Sequence, residues 1–237
     1  MLLGLALAAA GCGSSSNGSV PGSGTGGAGG TAGGSGGTTG AFDPTTPIPA
    51  TGTVLETFDT SVDGFKINSY VDTGATNLGA DGGVNATGTL AEWDGTVGSP
   101  TVGSLKITAP FSDWNQYVDV LKSVSPMADW SGKKIHVRVM VDSGFDTDMY
   151  VKGFVQMYFD TGTSYAFGQA ATVPTVNSNA MWQEFVLDTT TATFPTGTVG
   201  DPTMVVQYGV QFQSGAGNTT AVKPSAGVFH VDSFWLE

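Results

Sequence analysis

One cysteine, two histidines and eight basic residues among 237 each close off a class of function. The single thiol, Cys12, cannot form an intramolecular disulfide. With only His136 and His230 beside it, the chain has no convincing zinc set. Eight lysines and arginines against twenty acids leave a net charge of −12, so a nucleic-acid backbone or an anionic membrane surface would repel this protein. No window has the 3.6-residue period of a long amphipathic helix, and no repeat recurs at the periods of about 20 to 50 residues that mark solenoids and propellers. The apolar run Leu2 to Ala10 is too short to span a bilayer.

What remains is glycine, Thr, Val, Ser and Phe, with only 12% charged residues. That composition favours strands and turns over helices. From Gly13 to Gly40, 13 of 28 residues are glycine and none is charged. Such a stretch cannot bury enough apolar surface to offset its ordering entropy, so it reads as a flexible, disordered linker with a reach of about 30 Å. The Pro-bearing stretch Asp43 to Pro49 reads as a stiffer, extended continuation. The globular domain is therefore expected to begin near Gly52.

The apolar run followed by Ala9, Ala10, Gly11 and Cys12 resembles the signal peptide and lipobox of bacterial lipoproteins, although the usual basic residue between Met1 and the run is absent. The resemblance implies that Cys12 is lipidated and becomes the new amino terminus. It divides the chain into a signal peptide at 1–11, a lipidated linker at 12–51 and a domain at 52–237. In that family an Asp after the cysteine favours inner-membrane retention; here Gly13 follows. The implied location is extracytoplasmic, at the outer membrane or cell surface, with the lipid as the only membrane contact.

Within 52–237 the sequence shows short strand candidates separated by turn signals. They are Val54 to Phe58, Phe65 to Val71, Ser104 to Thr108, Tyr117 to Ser123, Lys134 to Val141, Val151 to Asp160, Trp182 to Asp188, Met204 to Gln213 and Val228 to Leu236. This number of strands fits an all-β sandwich. Alternation assigns the faces. Ile135, Val137, Val139 and Val141 point to the core and His136, Arg138 and Met140 away from it. Val155, Met157 and Phe159 oppose Lys152, Gln156 and Tyr158, while Val206, Tyr208, Val210 and Phe212 oppose Gln207, Gln211 and Gln213. Trp182 and Trp235 read as core residues, and Trp93 as a platform or a loop anchor.

Several segments are similar to jelly-roll carbohydrate-binding modules of the galactose-binding-like superfamily. They are Phe58-Asp59 with Asp63-Gly64-Phe65, Gly103 to Ile107, Asp129 to Ile135, and the closing Val228 to Leu236. Phe65 stands where a Trp is usual, and Ser233 rather than an acid follows Asp232. The resemblance implies a jelly roll that binds a polysaccharide such as a β-glucan without cleaving it, with a glycan-degrading enzyme as a conceivable partner. It also implies a structural Ca²⁺ between the first and last strands, held by Glu56, Asp59 and Asp232 together with carbonyl oxygens.

A glycan site needs rings for the apolar faces of sugars and planar polar groups for their hydroxyls. Arg138, Gln156, Gln207 and Gln211 supply the polar groups, and Tyr158 a ring. His136 and Lys152 share their faces, and Trp114 and Tyr117 lie in or beside a loop. Taken singly, each also reads as part of a solvated sheet face. Two other classes stay open. A surface lipoprotein that docks a protein would carry a contiguous apolar patch. A jelly-roll hydrolase or lyase would carry two carboxylates about 5–10 Å apart, but its usual strand motifs and a Gly-x-Ser-x-Gly elbow are absent.

Overall fold

The computed structural model describes residues 42–68, 76–79, 88–144, 153–170, 180–214 and 224–237. Cys12 and Lys152 lie outside these described residues. In chain order the strands are β1 (Thr53–Glu56), β2 (Lys66–Ile67), β3 (Thr76–Asn77), β4 (Leu90–Asp94), β5 (Ser104–Ala109) and β6 (Gln116–Ala128). They continue with β7 (Lys134–Ser143), β8 (Phe154–Thr161), β9 (Ala166–Gln169), β10 (Trp182–Asp188), β11 (Val205–Gln213) and β12 (Gly227–Leu236).

These strands form two six-stranded sheets that make up the expected jelly-roll sandwich. The first runs β10-β7-β12-β5-β4 with β1 also on β12, and the second runs β2-β6-β11-β8-β9 with β3 also on β6. Among these strands the chain stays in one sheet only from β2 to β3, from β4 to β5 and from β8 to β9, and every other connection crosses to the opposite sheet. Almost all pairing is antiparallel; β3 on β6 is parallel.

Alternation fills the space between the sheets. Ile135, Val137, Val139 and Val141 of β7 meet Val155, Met157 and Phe159 of β8 and Val210 and Phe212 of β11 in one apolar cluster. Phe65, Tyr208 and Phe234 pack as an aromatic knot within it, with centroids 5.2–5.6 Å apart. Gly209 of β11 runs so close to β6 that a Cβ would lie 2.1 Å from the Val120 carbonyl oxygen, which only glycine tolerates.

The strand reading from alternation is close for β10, whose ends match, and for β5, β7 and β12. It misses β3, β4 and β9. Met204, expected in a strand, instead ends a 3₁₀ turn whose N-cap, Asp201, accepts from the Thr203 amide at 2.9 Å.

A second difference concerns Trp235. Ser233 adopts φ +52°, and the β12–β7 register shifts between Asp232 and Trp235. A bulge of this kind reverses which face later residues occupy. Phe234 therefore enters the core, and Trp235 turns to the outer face of the first sheet, where it stacks on His136 at 4.7 Å. Trp182 and Trp235 are both buried, but neither belongs to the core between the sheets.

Candidate functional site

The second sheet turns a polar face outward. Cross-strand pairing aligns Asp119, Gln211 and Gln156 in one row. A parallel row holds Tyr117, Gln213 and Phe154, and another holds Leu121, Gly209, Tyr158 and Gln169. A further row holds Ser123, Gln207, Asp160 and Phe167. Gly209 keeps the middle of this face free of a side chain. Tyr117, reached through a loop in which Trp114 is half-buried, stands at one end.

Tyr117, Asp119, Gln156, Tyr158, Asp160 and Gln211 are buried, while Gln207, Gln213, Phe167 and Gln169 are partly exposed. Gln207 Nε2 donates to Asp160 at 2.6 Å, and Gln213 donates to Gln211. Burial pushes the Asp160 carboxyl up to about 6 against the pull of the Gln207 bond. The Tyr158 ring stacks on Phe167 at 4.7 Å. Burial, then the nearby Asp119, Asp160 and Tyr117, raise its phenol well above the usual range, so it stays a neutral donor. Two buried polar atoms on this face, Gln156 Nε2 and Tyr158 Oη, have no hydrogen-bond partner among the described residues. Native folds leave few such groups unpaired.

Asp119 and Asp160 are the carboxylates of this face among the described residues. Four residues along the strand and two strand widths separate them, which is about 16 Å. That exceeds the spacing at which two carboxylates share a glycosidic bond.

Arg138 and His136 do not join this face. Their strand, β7, belongs to the first sheet, so alternation turns them to the opposite side of the sandwich. Arg138 is 1% exposed and is covered by residues of the Pro-bearing stretch expected to be linker. His136 Nδ1 is 2.9 Å from Glu184, and its Nε2 is 3.3 Å from Glu237. Sequence alternation gave the right orientation to both, relative to their own strand, but could not say which sheet each strand joins. It also passed over Asp119 and Asp160, although Asp160 shares the parity of Gln156 and Tyr158 within one strand.

The three acids assigned to calcium do not converge. Glu56 turns to Lys122, with which it is ion-paired, and to Tyr208 Oη at 3.0 Å. Asp59 accepts from Thr101 at 2.5 Å. Asp232 takes the amides of Ser99 and Ser233, each at 2.6 Å. Burial pushes Asp232 up to about 8, and nearby Asp59 adds to the rise. Among the described residues no group of three His, Cys, Asp or Glu side chains is placed to hold a metal, so this donor set does not fit Ca²⁺. Trp93 is a loop anchor, its Nε1 donating to the Phe58 carbonyl at 2.8 Å.

No protein-family model and no curated protein matches the sequence. Among solved structures, the chain is similar to a family 28 carbohydrate-binding module specific for non-crystalline cellulose, with a TM-score of 0.51 and 15% identity over 81% of this chain and 99% of that one. It is also similar to a family 11 module from Clostridium thermocellum in complex with a β-1,3-1,4-mixed-linked tetrasaccharide, with a TM-score of 0.47 and 15% identity over 79% of this chain and 96% of that one. At this identity the first likeness shows the fold.

Proposed function

We propose that the sandwich binds a polysaccharide through the outer face of its second sheet, without cleaving it. The observation that carries this reading is the contiguous set of amides, phenols and carboxylates on the outer side of β6, β11 and β8, with Gln156 Nε2 and Tyr158 Oη unpartnered among the described residues. Such groups suit a ligand rich in hydroxyls, each of which both donates and accepts. The wide spacing of Asp119 and Asp160 supports binding over catalysis. The described exposed apolar residues, such as Val54, Leu90, Met127 and Val199, are spread over several strands and loops. Nothing in that spread favours a protein-docking surface.

Affinity electrophoresis of the whole chain against soluble cellulose derivatives, mixed-linkage β-glucan, mannan and xylan tests the reading. The glycan named for the family 28 module makes cellulose the first to try. Retardation by at least one polymer is expected, and migration unaffected by all of them would overturn the proposal. The lipobox-like Ala9-Ala10-Gly11-Cys12 supports a lipid anchor that holds this domain outside the cell. Lipid labelling that disappears in Cys12→Ser is the expected result, and equal labelling of both proteins would remove the anchor from the reading.

A further inference from the structure

The Pro-bearing stretch packs against the outer face of the first sheet, gripped at several points. Arg138 Nη2 donates to the Thr46 carbonyl at 2.7 Å, and its guanidinium carbon lies 5.0 Å from the Phe42 ring centroid and 5.3 Å from that of Trp235. Ser99 Oγ donates to the Pro44 carbonyl at 2.6 Å. Gly52 crosses Trp235 so closely that a Cβ would come within 2.8 Å of its ring. Arg138 has no carboxylate in ion-pair contact among the described residues, so its cage is one carbonyl, one hydroxyl and two rings. A guanidinium held between aromatic faces is favourable once desolvated. The fixed φ of Pro44, Pro47 and Pro49 lowers the entropy lost when the segment docks.

We infer that residues 42–52 form a strap that roots the amino-terminal chain on the side of the sandwich opposite the Asp119, Gln211 and Gln156 row. Tension arriving from that end meets β7 and β12 first, because the strap is held by Arg138 of β7 and Trp235 of β12. This inference stands without the glycan reading, because its primary test involves no glycan.

The test is a double-mutant cycle in the full chain with Phe42→Ala, Arg138→Gln and the pair, read by thermal unfolding. In a docked strap Phe42→Ala lowers the Tm by about 2–4 °C, and it adds little once Arg138 is already replaced. A Phe42→Ala midpoint equal to the parent would overturn the strap, even if Arg138→Gln folds poorly. On any polysaccharide that the parent binds, Phe42→Ala is expected to keep the same Kd within about twofold, which is under 0.5 kcal/mol. A loss of tenfold or more would overturn the opposite-face placement. A parent that binds no glycan would sink the proposed function and leave the strap to its thermal result.

Discussion

Replacing Tyr158 with Phe removes one oxygen and is expected to move stability and ligand binding in opposite directions. Tyr158 is 1% exposed, and its hydroxyl has no partner among the described residues. A buried hydroxyl left unpaired costs about 1–3 kcal/mol. Phenylalanine keeps the ring that stacks on Phe167 at 4.7 Å and 26°, so little packing is lost. Tyr158→Phe should therefore stabilise the domain by about 1 kcal/mol, a rise in Tm of about 2–4 °C for a domain of this size. On the proposed reading the same hydroxyl would donate to a sugar oxygen in the complex, and its removal would forfeit about 1–1.5 kcal/mol, or about five- to twelvefold in Kd. Scanning calorimetry on the free protein and titration calorimetry on a bound oligosaccharide read the two effects. A lower Tm with unchanged affinity would show that the hydroxyl is satisfied within the fold and does not serve the ligand. That result would remove the main observation behind the site.

The carboxyls of Asp160 and Asp232 have folded-state pKa values of about 6 and about 8, above the value near 4 expected when unfolded. The folded state thus keeps protons that the unfolded state releases, and stability falls as pH rises from about 4, until about 6 for Asp160 and about 8 for Asp232. Thermal midpoints should be higher at pH 5 than at pH 8.5; equal midpoints would count against both assignments. Asp160→Asn keeps an acceptor for Gln207, so it should add about 2–3 kcal/mol at pH 7.5 and almost nothing at pH 4, and a uniform effect at both would contradict it. Lys122→Met leaves Glu56 buried beside Tyr208 without its cation. It should cost about 2–3 kcal/mol, much of it regained in the double variant with Glu56→Gln; chemical denaturation reads both, and no recovery would deny the coupling. Because Glu56, Asp59 and Asp232 do not converge among the described residues, the Tm in EDTA should match that in millimolar Ca²⁺, and a rise of several degrees with Ca²⁺ would contradict that expectation.

The parts of the fold legible in the sequence are those where alternation is long and one side is wholly apolar. Strand β7, with Ile135, Val137, Val139 and Val141 against His136 and Arg138, is the clearest example. The short strands β3, β4 and β9 were not legible, because two to five residues carry too little alternation, and β4 has an exposed pattern along an edge. The Trp235 inversion comes from one positive-φ serine, a backbone choice that the residue type does not announce. Residues 42–50 read as linker because their composition is that of one, whereas their docking depends on Arg138, 92 positions away from Thr46. The division of the polar residues between two faces was hidden for the same reason. Parity along a strand is local, but membership of a sheet is a long-range fact.

That division decides where a ligand belongs. Both outer faces of the sandwich bury polar side chains, so polarity alone cannot choose between them. On the first sheet the chain covers its own groups: Arg138 has Thr46 and Ser99, Asp232 has two amides, and His136 has two glutamates. A ligand reaching Arg138 would have to displace the strap, and the groups without a hydrogen bond there among the described residues are Arg138 Nε and His136 Nε2, the latter 3.3 Å from Glu237. On the second sheet the polar groups lie in cross-strand rows, and Gln156 Nε2 and Tyr158 Oη, on neighbouring rows of one strand, lack a partner among the described residues. A strand presents same-face residues about 6.6–7 Å apart and neighbouring strands about 4.8 Å apart. These spacings are comparable to the size of one sugar ring, so an extended glycan could meet a fresh polar group with each residue. An unsatisfied donor on a regular lattice has more to gain from a repeating hydroxylated polymer than a caged arginine has, which is the reason for proposing β6, β11 and β8 as the binding strands.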